Sequence, residues 1–242
     1  MNNKNIAIIF SGGVGTRMDT KAIPKQFLKL HGKPIIVYTL EQFQSHPEID
    51  AIVIAIVADW MDYMKELIVR YQLTKVVDVV EGGKTGQSSI YNGLQSAARL
   101  FTTDSTVLIH DGVRPLINQQ IISANIDQVK KSGNAITTSP TIETFVVVDD
   151  DMLVQDVPLR KHSRLAKAPQ SFILNDIIVV HQKALNDGIL DSIDSCTLMN
   201  QYGHQVTLVE GPVENIKITT PTDYFMFRAI VESRENSQIF GG

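Results

Sequence analysis

The first sustained hydrophobic signal is the apolar run Ile6-Ala7-Ile8-Ile9, whose length and β-prone residues predict a buried first strand. After the turn His31-Gly32-Lys33, Pro34 opens a helical pattern that runs to about Ser45. Ala51 to Val57 is apolar at nearly every position, which predicts a strand covered on both faces. Trp60, Met64, Leu67 and Ile68 then recur at helical spacing, predicting a helix capped by Asp59 that turns those side chains into a core. Val76 to Val80 and Val107 to Ile109 read as further strands. Strand and helix alternate, and that rhythm predicts an α/β, Rossmann-like fold: right-handed crossovers and a mostly parallel sheet with helices on both faces.

Beyond Pro140 the pattern changes. Thr144 to Val148 and Leu153 to Val157 are short β-type runs joined by Asp149-Asp150-Asp151, which predicts an inserted, protruding hairpin arm over 141–168. The acidic triplet reads as a solvated turn tip. An isolated hairpin needs a surface to pack on, and a second subunit would supply one. The last third predicts a helix near Leu174 to Leu185, a strand over Gln205 to Val209, a β-like alternation through Asn215 to Thr220, and a closing helix from Pro221 and Asp223. With no repeats, linkers or low-complexity stretches, 1–242 is read as one domain.

Composition narrows the partners. A net charge of −4 leaves no broad basic surface for a nucleic-acid backbone, while a charged small molecule held by a few local cations stays open. The single cysteine, Cys196, excludes an intrachain disulfide, fits a reducing cytoplasm, and is expected to be a buried small apolar group. No run is long enough to span a bilayer, and the N-terminal apolar run is too short for a signal peptide.

The chemistry gathers where strands stop, as ligands do in open α/β sheets. Four loops qualify: Ser11 to Lys25, Gly82 to Ser89, Asp111 to Pro115, and Asn215 to Thr220. In the first, Gly12, Gly13 and Gly15 let backbone N–H groups approach an anion, and Arg17 and Lys25 set two positive charges beside them, as handling of a polyphosphate requires. It is not a dinucleotide fingerprint, because Met18 stands where a small residue is needed. Nor is Gly83-Lys84-Thr85 a kinase-type phosphate loop, because Asp78 falls where its first glycine should be. In the third loop His110 is read as a structural hydrogen-bonding residue and Asp111 as the functional candidate.

Taken together, SGGVGTRM, PKQFL, GKPIIVYTLEQF, EGG followed by SSIYNGL, HDGVRP, APQSF and NIKITTPTD resemble, in family order and over nearly the whole chain, the cytidylyltransferases acting on polyol phosphates. The resemblance covers two branches, one using 2-C-methyl-D-erythritol 4-phosphate and one using ribitol 5-phosphate, with the motifs nearer the second. It implies a nucleotide-diphospho-sugar transferase type of fold and transfer of CMP from CTP with release of pyrophosphate and a need for Mg²⁺. By motif position Arg17 and Lys25 would stabilise the transition state. Phe10, Ser11, Gly12, Gly13, Gly15, Gly82, Gly83, Ser88, Ser89 and Gly112 would line the CTP site. Arg160 and Lys217 would hold the acceptor phosphate, with Asp111, Arg114 and Thr144 near the acceptor and Asp111 the candidate metal ligand. The arm would swap across a homodimer, so that Arg160 and Thr144 serve the neighbouring site. Three departures stand out: Gly86 in place of an Arg, Ala168 in place of a Thr, and Ile193-Asp194-Ser195-Cys196 lacking a further hydroxyl. A catalytically silent nucleotide-binding protein is the competing reading from another class.

Overall fold

The computed structural model describes residues 3–11 and 23–240, with side chains through 236. Arg17, Gly12, Gly13 and Gly15 lie outside the described residues.

Strand β1 (Asn5–Ser11) is followed by a small antiparallel ribbon, β2 (Lys29–Leu30) and β3 (Lys33–Pro34), and by helix α1 (Ile35–Ser45). Next come β4 (Ala51–Ile56), α2 (Met61–Arg70), β5 (Val76–Glu81), α3 (Gly86–Leu100) and β6 (Thr106–Asp111). Asp59 does not cap α2. It sits in a 3-10 turn, Ala58–Trp60, and Trp60 takes the cap position without a side-chain hydrogen bond, the turn's own backbone having displaced the Asx cap.

The second half contains α4 (Gln119–Ser132), β7 (Asn134–Pro140), β8 (Val147–Val148), β9 (Val154–Asp156), β10 (Arg164–Ile173), α5 (Leu174–Asn186), α6 (Ser195–Gln201), β11 (Leu208–Glu210) and α7 (Pro221–Phe240). The closing strand is shorter and later than Gln205–Val209. The Asn134 side chain takes the Gln205 carbonyl and the Thr207 N–H at 3.0 and 2.7 Å, so regular pairing with β7 begins only at Leu208. The alternating stretch around Lys217 forms no strand; the Ile218 N–H instead donates to the Val113 carbonyl at 2.9 Å, tying the stretch to the loop after β6.

The seven-stranded sheet runs β11-β7-β10-β6-β1-β4-β5. β6, β1, β4 and β5 are mutually parallel, β11 is parallel to β7, and β10 lies antiparallel between β6 and β7. Alternation along each strand fills two cores. Ala7, Ile9, Ile52 and Ile54 face α1, α2 and α4 through Leu40, Phe43, Met64, Leu67 and Ile126. Ile6, Ile8, Ala51 and Val53 face α3, α5 and α6 through Ile90, Leu94, Ile177, Val180 and Leu198. Burial on both faces accounts for the uninterrupted apolar strands. A third cluster, including Ile35, Val113, Ile218 and Phe227, seats α7 over the end of β6.

This topology positions the site. Phe10 stands opposite Asp111, so β1 and β6 end side by side, and Gln170 opposite Ile109 brings the start of β10's inner half to the same edge.

Candidate active site

Asp111 is the last residue of β6 and only 6% exposed. Its Oδ1 accepts from Lys217 Nζ at 2.7 Å and its Oδ2 from Arg114 Nε at 2.7 Å. Burial by itself would push this carboxyl up, but Arg114 and then Lys217 outweigh it and hold it well below the usual carboxylate range. Asp111 is therefore a permanent anion that aims two cations. Arg114 also donates from Nη1 to the Asn215 carbonyl at 3.0 Å, and Asn215 Nδ2 donates to the Ala168 carbonyl at 2.7 Å, which knits the loop after β6, the 215–220 stretch and β10 together. The pairing of β10 with β7 shifts between Ala166 and Gln170, around the cis Ala168-Pro169 bond.

A third cation joins them that carries no motif signal beyond standing next to APQSF. Lys167 Nζ reaches the Val213 carbonyl at 2.8 Å, and burial followed by the neighbouring Arg114 pulls its pKa down. Asp111, Arg114, Lys167 and Lys217 all line a cavity of about 410 Å³. Around Asp111 three cations gather on one carboxylate, a local setting suited to a phosphate dianion, while Asp191 and Asp194 line the cavity as well.

Magnesium was expected at Asp111, and the geometry does not fit. Both carboxylate oxygens are committed to cations, and among the described residues no group of three or more His, Cys, Asp or Glu could hold a metal. His110, one residue earlier, is fully buried, with Nε2 3.2 Å from the Arg114 carbonyl and its ring edge-on to Phe43. Burial pushes it down to about 4, so it is neutral and structural.

Of the expected nucleotide contacts, Phe10 lines the cavity and Ser11 is buried beside it at the end of β1. The Gly112 N–H donates to the Phe10 carbonyl at 2.9 Å, and a Cβ on Gly112 would lie 3.2 Å from that of Ser11, so glycine lets the two strand ends close up. Gly82 and Gly83 lead into α3. Gly83 packs so tightly on Ser88 that any side chain there would collide with it. The hydroxyls of Ser88 and Ser89 are spent locally: Ser88 completes a capping box with Thr85, and Ser89 Oγ accepts from the Gly83 N–H at 3.0 Å. They shape the loop, and the backbone presents it. Lys25 begins a 3-10 turn, Lys25–Phe27, anchored by Phe27 stacked on Trp60 and by Gln26 Nε2, 3.5 Å from the Ser11 carbonyl.

Arg160 and Thr144 are not brought to this cavity. They pair with each other on the arm, Arg160 Nη2 donating to Thr144 Oγ1 at 2.9 Å, with both residues exposed. Gly86 lines the cavity at the start of α3, where an added Cβ meets nothing within 4 Å. Cys196 is partly rather than fully buried, and burial followed by Asp194 pushes its thiol up to about 11, leaving it unreactive.

The family profile described as IspD, 2-C-methyl-D-erythritol 4-phosphate cytidylyltransferase, matches residues 5–233. The chain belongs to the IspD family. It is 56% identical to a ribitol-5-phosphate cytidylyltransferase of Streptococcus agalactiae serotype V, over 98% of this chain and 99% of that one. It is 55% identical to a protein of the same description from Vibrio parahaemolyticus serotype O3:K6, over 98% and 100%. A 2-C-methyl-D-erythritol 4-phosphate cytidylyltransferase of Clostridium novyi is 40% identical over 96% and 98%. Among solved structures, 4-diphosphocytidyl-2C-methyl-D-erythritol synthase from Anaerococcus prevotii superposes with a TM-score of 0.82 at 28% identity, covering 95% and 96%. As an IspD-family member the chain is a nucleotidyltransferase with CTP as its nucleotide substrate. Among the described residues no helix is long and apolar enough to cross a membrane.

Proposed function

We propose that this IspD-family enzyme transfers CMP from CTP to D-ribitol 5-phosphate, giving CDP-ribitol and pyrophosphate. The observation that carries the reading is the buried Asp111 holding Arg114 and Lys217 at the cavity, with Lys167 beside them: a seat for an acceptor phosphate next to the end of β1. The choice of ribitol rests on the relatives at 55–56% identity and on the motifs the chain shares with that branch. Methylerythritol phosphate is the second reading, favoured by the family profile and the 40% relative.

The acceptor phosphate has a second pKa of about 6, so at neutral pH it is a ready nucleophile and needs no general base. One of its oxygens bonds to the α-phosphorus of CTP as the bond to the departing pyrophosphate breaks. The obstacle is repulsion between two anions. Lys217, with Arg160 of the partner subunit, fixes the acceptor phosphate in line, while Lys25 and Arg17 neutralise charge growing on the α-phosphoryl oxygens and the leaving group. Asp111 and Arg114 act as the rigid frame for Lys217. The magnesium that the resemblance implies would be held mainly by the triphosphate rather than by Asp111 and would supply further neutralisation of its charge. The arm supports a homodimer, because Ile142, Val146, Leu153, Val154 and Leu159 leave it strongly apolar and exposed. A cytoplasmic setting is part of this reading, in keeping with the single cysteine, Cys196.

Pyrophosphate release from CTP, measured with ribitol 5-phosphate, methylerythritol phosphate, glycerol 3-phosphate and xylitol 5-phosphate, tests this. The expected result is the highest kcat/KM with ribitol 5-phosphate. Preference for methylerythritol phosphate overturns the acceptor, and release with none of the four supports a silent nucleotide-binding protein instead.

A further inference from the structure

The cavity has a second wall, built by α5 and α6, whose polar groups are of a different kind. Gln87 is fully used: its Nε2 donates to the Ile189 carbonyl at 2.8 Å and its Oε1 accepts from the Ser192 N–H at 2.7 Å. Gln170 is likewise used, donating to Asp194 Oδ2 at 2.9 Å and accepting from the Cys196 N–H at 2.8 Å. Asp194 Oδ1 caps α6 through the Thr197 N–H at 2.7 Å.

Two groups on this wall have nothing. Ser195 is 3% exposed and His181 1%, both line the cavity, and neither the Ser195 hydroxyl nor either His181 ring nitrogen has a hydrogen-bond partner. Buried polar groups left in this state are costly and rare, and several in one cavity call for a partner that comes from outside. The His181 ring is held in place by stacking on Tyr91, centroids 5.5 Å apart, so it is presented rather than loose. Burial pushes it down to about 4; the neutral imidazole offers one donor and one acceptor. That is the complement of a hydroxyl, and a poor complement of a phosphate.

We propose that His181 and Ser195 read the hydroxylated tail of the acceptor, making the α5–α6 wall the part of the site that selects a long polyol over a short one. This rests on the acceptor reading above. The phosphate takes the Arg114, Lys167 and Lys217 side of the cavity, and the tail extends to the other wall. There, hydroxyls satisfy the three orphaned atoms, while Asp191 and Asp194, which line the same cavity, disfavour a phosphate in the reversed orientation.

The test compares wild type with His181→Phe, which keeps the ring on Tyr91 and removes both nitrogens, and with Ser195→Ala. Pyrophosphate release is measured at saturating CTP with ribitol 5-phosphate and with glycerol 3-phosphate, the latter as substrate or as competitive inhibitor. Thermal unfolding of each variant runs alongside. The expected result is a fall of about 10-fold or more in kcat/KM for ribitol 5-phosphate in His181→Phe, several-fold in Ser195→Ala, through a raised acceptor KM. The constant for the three-carbon acceptor, which falls short of this wall, shifts much less, and the melting temperature does not drop, because no native hydrogen bond is lost. Equal shifts for both acceptors, no shift in His181→Phe, or a variant that melts early overturn the inference. A wild-type enzyme that turns over no polyol phosphate overturns the parent reading, and this one with it.

Discussion

Asp111 carries one cation on each oxygen, and Arg114, the more enclosed of the two, has a side chain only 13% exposed. Asp111→Asn strips the charge from the frame and leaves that guanidinium without its anion, so a loss of about 3 kcal/mol in urea unfolding is expected; a loss below about 1 kcal/mol would show that the frame is not under load. Because the folded pKa of Asp111 is depressed, its contribution is complete above the ordinary carboxylate range and fades only as pH falls below about 4. Lys217 is half-exposed and stabilises little, so Lys217→Ala should leave stability nearly intact while raising the acceptor KM, with the greatest loss of rate at low acceptor concentration. An unchanged KM and kcat would remove Lys217 from the site. At this scale Asp111 and Arg114 were readable because their motif follows a strand, and Lys217 because it sits in a motif just ahead of a helix start. Lys167 and His181 were not: one is an unremarkable Lys between alanines, the other a His on a helix whose only sign of function is a missing partner in three dimensions.

Elements followed the same logic. The apolar strands β1, β4 and β6 declared themselves because two helical layers bury both their faces, and β5, at the sheet edge, kept a valine-rich run although it is only partly covered. β7 and β10 did not, because Thr137, Ser139, Gln170 and Ser171 are buried there as polar residues. Ser171 and Thr137 are satisfied by a network no pattern of hydrophobicity reveals: Ser171 Oγ donates to Asn125 Oδ1 at 2.9 Å, and Asn125 Nδ2 to Thr137 Oγ1 at 2.9 Å, whereas Ser139 Oγ has no partner. The hairpin of β8 and β9 was legible from its turn, and Asp149 closes that turn by accepting from the Asp151 and Leu153 N–H groups at 3.1 and 2.9 Å. Two elements also carry a pH signature. His110 on β6 and His181 on α5 are both buried neutral, with pKa values pushed from 6.5 to about 4. The unfolded chain takes up these protons first, so stability should be flat above about pH 7 and decline as pH falls from 6.5 toward 4, by roughly 3 kcal/mol per histidine over the window. His181→Phe should remove its share of that slope. Denaturant midpoints from pH 8 to 4 give the answer, and identical slopes for the variant and wild type would show that His181 is not neutral and buried.

At the scale of the whole molecule, two residues expected at the acceptor stand apart from the cavity. Arg160 and Thr144 sit on an arm whose β8–β9 ribbon is exposed, away from the Asp111 cavity, although both are expected at the acceptor. The two facts agree if the arm reaches a second copy, so that each site draws Lys25, Lys167 and Lys217 from one subunit and Arg160 from the other. Lys25→Ala and Arg160→Ala are then each expected to lose about 100-fold or more of the wild-type rate. Mixing the two variants through mild denaturation and refolding tests the claim that cations from two chains meet in one active site. Random pairing of two-fold dimers leaves one intact site in half of them, so pyrophosphate release should recover to about a quarter of the wild-type rate. A mixture no more active than its parents, with mixed dimers shown to form, would contradict the account.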